Sequence, residues 1–136
     1  MHRSRVYAIL IDTPAPEAAA AAAFWSAALG APAEPVPSEE QFTALHEAIP
    51  GLVTAVQAID DTNPRFHIDI ETDDVEAETA RLLALGATQV SRWLECRVLR
   101  TPGGHLMCVL PVHSDPDVFN ARARTWTVAA TPTTRP

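Results

Sequence analysis

The sequence predicts an α+β fold assembled from two tandem modules, each running strand, helix, hairpin. Three observations carry the prediction. Short β-rich runs alternate with two helical stretches. The tetrapeptide ALGA occurs at 28–31 and again at 84–87, each time where a helix should stop. The pair PG occurs at 50–51 and at 102–103, each time where a hairpin should turn back. A shared order of elements, repeated at a spacing of roughly 50–60 residues, marks duplicated modules.

The elements follow in order. Residues 5–11 (RVYAILI) form a first strand, ended by Thr13 and the prolines at 14 and 16, which open a helix in the way a first-turn proline does. The run EAAAAAAFWSAALG is that helix: alanine is the best helix former, Phe24, Trp25 and Leu29 supply its sticky face, and Gly30 gives a left-handed stop. APAEPVPSEE (31–40), with three prolines, reads as a loop or short edge strand. QFTALHEA and LVTAVQAI flank IPG as a hairpin, and DDTNP (60–64) breaks the chain between modules.

In the second module RFHIDIE alternates, placing Phe66, Ile68 and Ile70 on one face and His67, Asp69 and Glu71 on the other. Asp73 is positioned to cap the next helix, with Glu76 completing a capping box. Val75, Thr79, Leu82 and Leu83 line one face of that helix and Gly86 ends it. TQVSRWLECRVLR and HLMCVLP then flank the turn TPGG. The expected organisation is one domain over 1–136, with module one at 1–60, module two at 64–112 and a C-terminal extension at 113–136. FNARARTW (119–126) is expected to lie across a sheet edge or a partner chain, and AATPTTRP to be loose.

Composition narrows the function classes. Of 136 residues, 47% are hydrophobic and 20% charged, as in an ordinary globular domain. Ten basic against 17 acidic residues give a net charge of −7, which disfavours a nucleic-acid partner. There is no apolar run of membrane-spanning length, and the basic N-terminus reads as a strand and not as a signal peptide. Two cysteines are too few for a disulfide framework, so a cytoplasmic protein with reduced thiols is expected. No nucleophile elbow, P-loop or dinucleotide fingerprint is present.

With FWSAALG in the first helix, RFHIDIETDDVEAETARLLALGAT in the second module and TPGGHLMCVL in the last hairpin, the chain resembles the vicinal oxygen chelate superfamily, specifically its small bacterial glyoxalase-like domain proteins. The resemblance covers nearly the whole chain. It implies two βαβββ modules whose sheets curve into one cup, the glyoxalase/bleomycin resistance-like fold. In metal-dependent members four side chains, two per module, hold a divalent ion from the first and last strands of each module.

Placed on this sequence, the first-strand position of module two falls on His67, a good donor. That of module one falls at Arg5 to Tyr7, where only Tyr7 is a donor and an uncommon one. The last-strand positions fall on Leu106 and Thr54, an apolar side chain and a poor ligand. An apolar residue in place of a carboxylate removes a donor and a neutralising charge. The expectation is therefore a cup that binds a small organic ligand without the usual metal centre, probed by His67, Tyr7, Thr54, Leu106, Trp93 and Asp69. No cofactor is expected, and any divalent metal would use His67. Catalytic residues stay unassigned. The alternatives are a divalent-metal-dependent lyase, isomerase or dioxygenase, and an antibiotic-sequestering resistance protein. A homodimer is implied by the family.

Other candidates carry less. Strand alternation turns His105 away from the cup if Leu106 faces it, which makes His105 a turn residue. His46 lies in the first hairpin with its direction open. Trp93 is positioned as an apolar wall, Trp25 as core, and Cys96 and Cys108 as buried structural thiols. Gly103–Gly104, with no helix following, is a turn and not a phosphate loop.

Overall fold

The computed structural model describes residues 1–127; the segment AATPTTRP, expected to be loose, lies outside the described residues. The chain opens with a long strand, β1 (His2–Pro14), then a 3-10 turn (Ala15–Glu17) and helix α1 (Ala18–Leu29). Gly30 ends α1 at φ 65°, a left-handed conformation that costs glycine little. Strands β2 (Ala33–Val36), β3 (Glu39–Leu45) and β4 (Val53–Ile59) complete the first half. The second half repeats the order with β5 (Arg65–Thr72), α2 (Val75–Ala84), β6 (Thr88–Trp93), β7 (Cys96–Arg100) and β8 (Leu106–Pro111). A short helix α3 (Pro116–Arg122) and strand β9 (Arg124–Trp126) follow. No helix among the described residues is long and apolar enough to cross a membrane.

All nine strands join one curved open sheet in the order β2-β3-β4-β1-β5-β8-β7-β6, with β9 added to β1. Each half pairs its first and last strands in parallel, β1 with β4 and β5 with β8. The halves meet along the antiparallel pair β1/β5, where Leu10 faces His67 and Ala8 faces Asp69. This seam places the first strands of the two modules side by side at the sheet centre.

Alternation divides the sheet into two faces. On the helix face, Ile11, Leu45 and Val56 pack with Ala22 and Trp25 of α1, while Leu99, Met107 and Val109 pack with Val75 and Leu82 of α2. Full burial of each such aliphatic side chain contributes on the order of 1.5–3 kcal/mol. The opposite, concave face carries Ala8, Leu10 and Ala55.

Two expectations about α2 change. Its N-cap is Asp74, whose carboxylate accepts from Ala77 N–H, and not Asp73. Asp73 instead accepts from the Arg3 backbone N–H at 2.7 Å and guanidinium at 3.0 Å, which ties the helix entry to β1. Glu76 is thereby free to pair with the buried Arg97, at 2.7 Å. Leu83 is 39% exposed, so the packed stripe is Val75, Thr79 and Leu82.

The segment FNARARTW does cover a sheet edge: β9 pairs with His2–Ser4 at the end of β1 that β4 does not reach. Trp126 fixes it there, donating from its indole to Ser4 Oγ at 2.8 Å while the Arg81 guanidinium lies 3.8 Å from its ring centre. The approach to α3 is held by fully buried Glu71, which accepts from the N–H groups of His113 and Ser114 and from the Ser114 hydroxyl. Arg5 balances that carboxylate at 3.6 Å and donates to the Gly51 carbonyl.

Candidate functional site

The concave face encloses a cavity of about 550 Å³, within the size range of small-molecule sites. Ala8, Leu10, Ala44, Ala55 and Val98 make its walls apolar. Glu39, Gln41, Glu95 and His113 are exposed groups around it. Deeper in lies one polar cluster, formed by His67 and Asp69 of β5 with Cys108 of β8.

His67 is the centre of that cluster. Its Nδ1 lies 2.6 Å from Asp12 Oδ2, and Nδ1–H donates to this carboxylate across the β1/β5 seam. Its Nε2 faces Asp69 Oδ1 at 3.3 Å, an ion-pair contact without hydrogen-bond geometry. Burial works against the imidazolium. The hydrogen bond to Asp12 and the proximity of Asp69 outweigh it and raise the His67 pKa from 6.5 to about 9. The ring is therefore held in a fixed orientation between two carboxylates.

Cys96 on β7 and Cys108 on β8 are free thiols lining the same cavity. Their mutual contact lowers the Cys96 pKa and, with burial, raises that of Cys108. Burial pushes the Tyr7 hydroxyl up as well, helped by Glu71 and Asp69.

The cavity brings together four of the six residues expected in the site: Tyr7, His67, Asp69 and Trp93. Trp93 stands at the β6–β7 turn, 69% exposed. Thr54 and Leu106 are not brought in. Thr54 lies on β4 with its neighbours Val53 and Ala55 pointing into the cavity, so alternation turns its own side chain to the helix face. Leu106 shares the face of Cys108 but does not line the cavity; the register Asp69↔Cys108 makes Cys108 the β8 side chain beside the cluster. His105 is an exposed turn residue, and His46 points to solvent, 2.8 Å from Glu34.

Sequence reasoning missed Asp12 outright and treated Cys108 as core. The signal for Asp12 was parity: it is two residues beyond Leu10, on the face that meets His67.

The cup can be tested against the metal centre that the resemblance implies. A centre with two donors per module is not gathered among the described residues: Asp12 of β1 is engaged with His67 Nδ1, and neither it nor Tyr7 or Gln57, the other module-one donors on the cup face of β1 and β4, joins the cluster. A set drawn from module two alone does fit in chemistry: His67, Asp69 and Cys108 offer one nitrogen, one oxygen and one sulfur within 4.8 Å of one another.

Residues 8–110 match the model of the glyoxalase-like domain. The chain belongs to that family, and through it to the vicinal oxygen chelate superfamily. Solved structures similar to it include two of methylmalonyl-CoA epimerase. A variant of methylmalonyl-CoA epimerase from Streptomyces coelicolor, in complex with 2-nitronate-propionyl-CoA, is 17% identical with a TM-score of 0.51, covering 81% of this chain and 95% of its own. Methylmalonyl-CoA epimerase from Mycobacterium tuberculosis is 17% identical with a TM-score of 0.49, covering 79% and 87%. At that identity the Streptomyces likeness speaks to the fold alone. No significant match was found among curated proteins.

Proposed function

We propose that this glyoxalase-like protein binds a small organic molecule in its cup, without the four-donor metal centre implied by the superfamily. One observation carries the reading: a largely apolar cavity of about 550 Å³ holds the His67, Asp69 and Cys108 cluster, with the His67 ring fixed by Asp12. A ligand with a hydrocarbon body would lie along Leu10, Ala44, Ala55 and Val98 and meet His67 and Asp69 with its polar end. A few placed polar groups in an apolar pocket give orientation, while the apolar walls give affinity.

The test uses anilinonaphthalene sulfonate, whose fluorescence rises in apolar cavities. Saturable one-to-one binding is expected for the native chain. Ala44→Trp, at a half-buried wall position, fills the cavity and should weaken binding about 10-fold or more, as loss of ~1.4 kcal/mol does. Unsaturable binding, or equal affinity in a folded Ala44→Trp variant, would remove the reading.

A further inference from the structure

We propose that Cys96 and Cys108 form a redox-responsive pair in the cup, in which a small hydroperoxide converts the two thiols into a reversible disulfide. The pair stands whether or not an organic molecule fills the apolar end.

The strand register brings the thiols together. β7 and β8 run antiparallel with Val98 opposite Cys108, and Cys96 lies two residues before Val98 on the same face. Cys96 therefore stands diagonally across from Cys108, and both side chains line the cavity. The thiols are near enough to share a hydrogen bond. They are the two cysteines of the chain, so neither has another partner within it.

Neither thiol is sealed in the core. Both are free, half-buried and open onto a cavity of about 550 Å³, ample for a molecule the size of hydrogen peroxide. Inert structural cysteines are, by contrast, packed away from solvent.

The placement also sets how the bond behaves. Diagonal neighbours in a sheet are about 7–8 Å apart at Cα. A relaxed disulfide needs a Cα separation of roughly 4.4–6.8 Å, so the bridge must draw the two strands together slightly. Cys96 is the end where this costs least. It opens β7 directly after the exposed turn Leu94–Glu95, and β6, on the other side of that turn, is the edge strand of the sheet. A disulfide formed under strain is readily reduced, which suits a switch better than a permanent staple.

The chemistry closes with hydrogen peroxide as the oxidant. One thiolate attacks a peroxide oxygen: an S–O bond forms, the O–O bond breaks, and the hydroxide that leaves takes a proton to become water. The second thiol then attacks the sulfur of that sulfenic acid. An S–S bond forms as the S–O bond breaks, and the departing hydroxide becomes a second water with the proton of the attacking thiol. The two thiols give up two electrons, and the peroxide accepts both.

The experiment treats the reduced, chelator-treated full chain with hydrogen peroxide, counts thiols in denaturant and measures the intact mass. Both thiols should disappear with a loss of about 2 Da from the single chain, and dithiothreitol should restore them. Cys96→Ser and Cys108→Ser each keep one thiol with no partner, and at least one of them should yield a sulfenic acid trapped by dimedone. Circular dichroism confirms that each variant is folded. The native chain alone suffices to overturn the proposal, by keeping both thiols in excess peroxide, by gaining oxygen with no bridge, or by bridging only between two chains. Dimedone trapping in neither variant overturns it equally.

Discussion

Asp12 on β1 and His67 on β5 are 55 positions apart in sequence and meet at 2.6 Å across the seam between the two modules. Both side chains are nearly withdrawn from solvent, 5% and 11% exposed. The pair joins the modules where the register also sets Leu10 against His67, so one polar link is embedded in an otherwise apolar contact. It fixes the imidazole plane, and with it the direction in which Nε2 faces the cavity.

The first prediction concerns that link. Asp12→Ala leaves the His67 Nδ1–H without an acceptor, and a hydrogen bond to a charged group is worth ~1.5–3 kcal/mol. Urea unfolding should show a loss of about 2 kcal/mol. The double variant with His67→Ala should lose less than the sum of the two single variants, since either change breaks the same contact. Additive losses would show that the two residues are energetically independent.

The second prediction concerns acid. Glu78 is fully buried on α2, 3.0 Å from His2 Nε2 and bonded to the Arg81 guanidinium. Burial by itself raises its pKa. The hydrogen bonds from Arg81, Ser4 and His2 outweigh burial and bring it below 4.5. A carboxyl whose folded pKa is depressed adds stability that is present above its unfolded pKa and is lost as pH falls through the folded one. Unfolding free energy should therefore drop as pH is lowered from about 4.5, the ordinary value of this group. Glu78→Gln should be less stable at neutral pH and should show a flatter acid limb. An unchanged acid limb in the variant would assign the acid sensitivity to other carboxylates.

Much of this architecture is legible in the sequence because it rests on local chemistry. Gly30, the alanine tract and the alternation of RFHIDIE each specify an element from neighbouring residues, and the ALGA and PG recurrences reveal the duplication. The same alternation already places His67 and Asp69 together on the cup face. What was not legible depends on register between distant strands. Counting from Pro102 leads to Leu106, whereas the β5/β8 register puts Cys108 beside Asp69. Counting from Pro50 leads to Thr54, whose side chain the alternation of β4 turns out of the cup. Asp12 and Asp73 escaped for a related reason: each serves a partner 55 or 70 residues away, and neither spacing leaves a local pattern.

The third prediction separates packing from recognition at the cup's mouth. Trp93 lines the cavity yet is 69% exposed, and its neighbour Leu94 is 75% exposed with φ 53°. A side chain so accessible adds little to the core, so Trp93→Ala should change the unfolding free energy by no more than about 0.5 kcal/mol. Its indole should still contact a bound aromatic molecule, and an aromatic pair is worth ~0.5–1.5 kcal/mol. Anilinonaphthalene sulfonate should accordingly bind the variant roughly 2- to 10-fold more weakly, since every ~1.4 kcal/mol is tenfold in affinity. The two measurements answer different questions. A large drop in stability would make Trp93 part of the hairpin's packing. Unchanged dye affinity with unchanged stability would mean that the ligand lies wholly within the apolar walls around Leu10 and Ala55, out of reach of the β6–β7 turn.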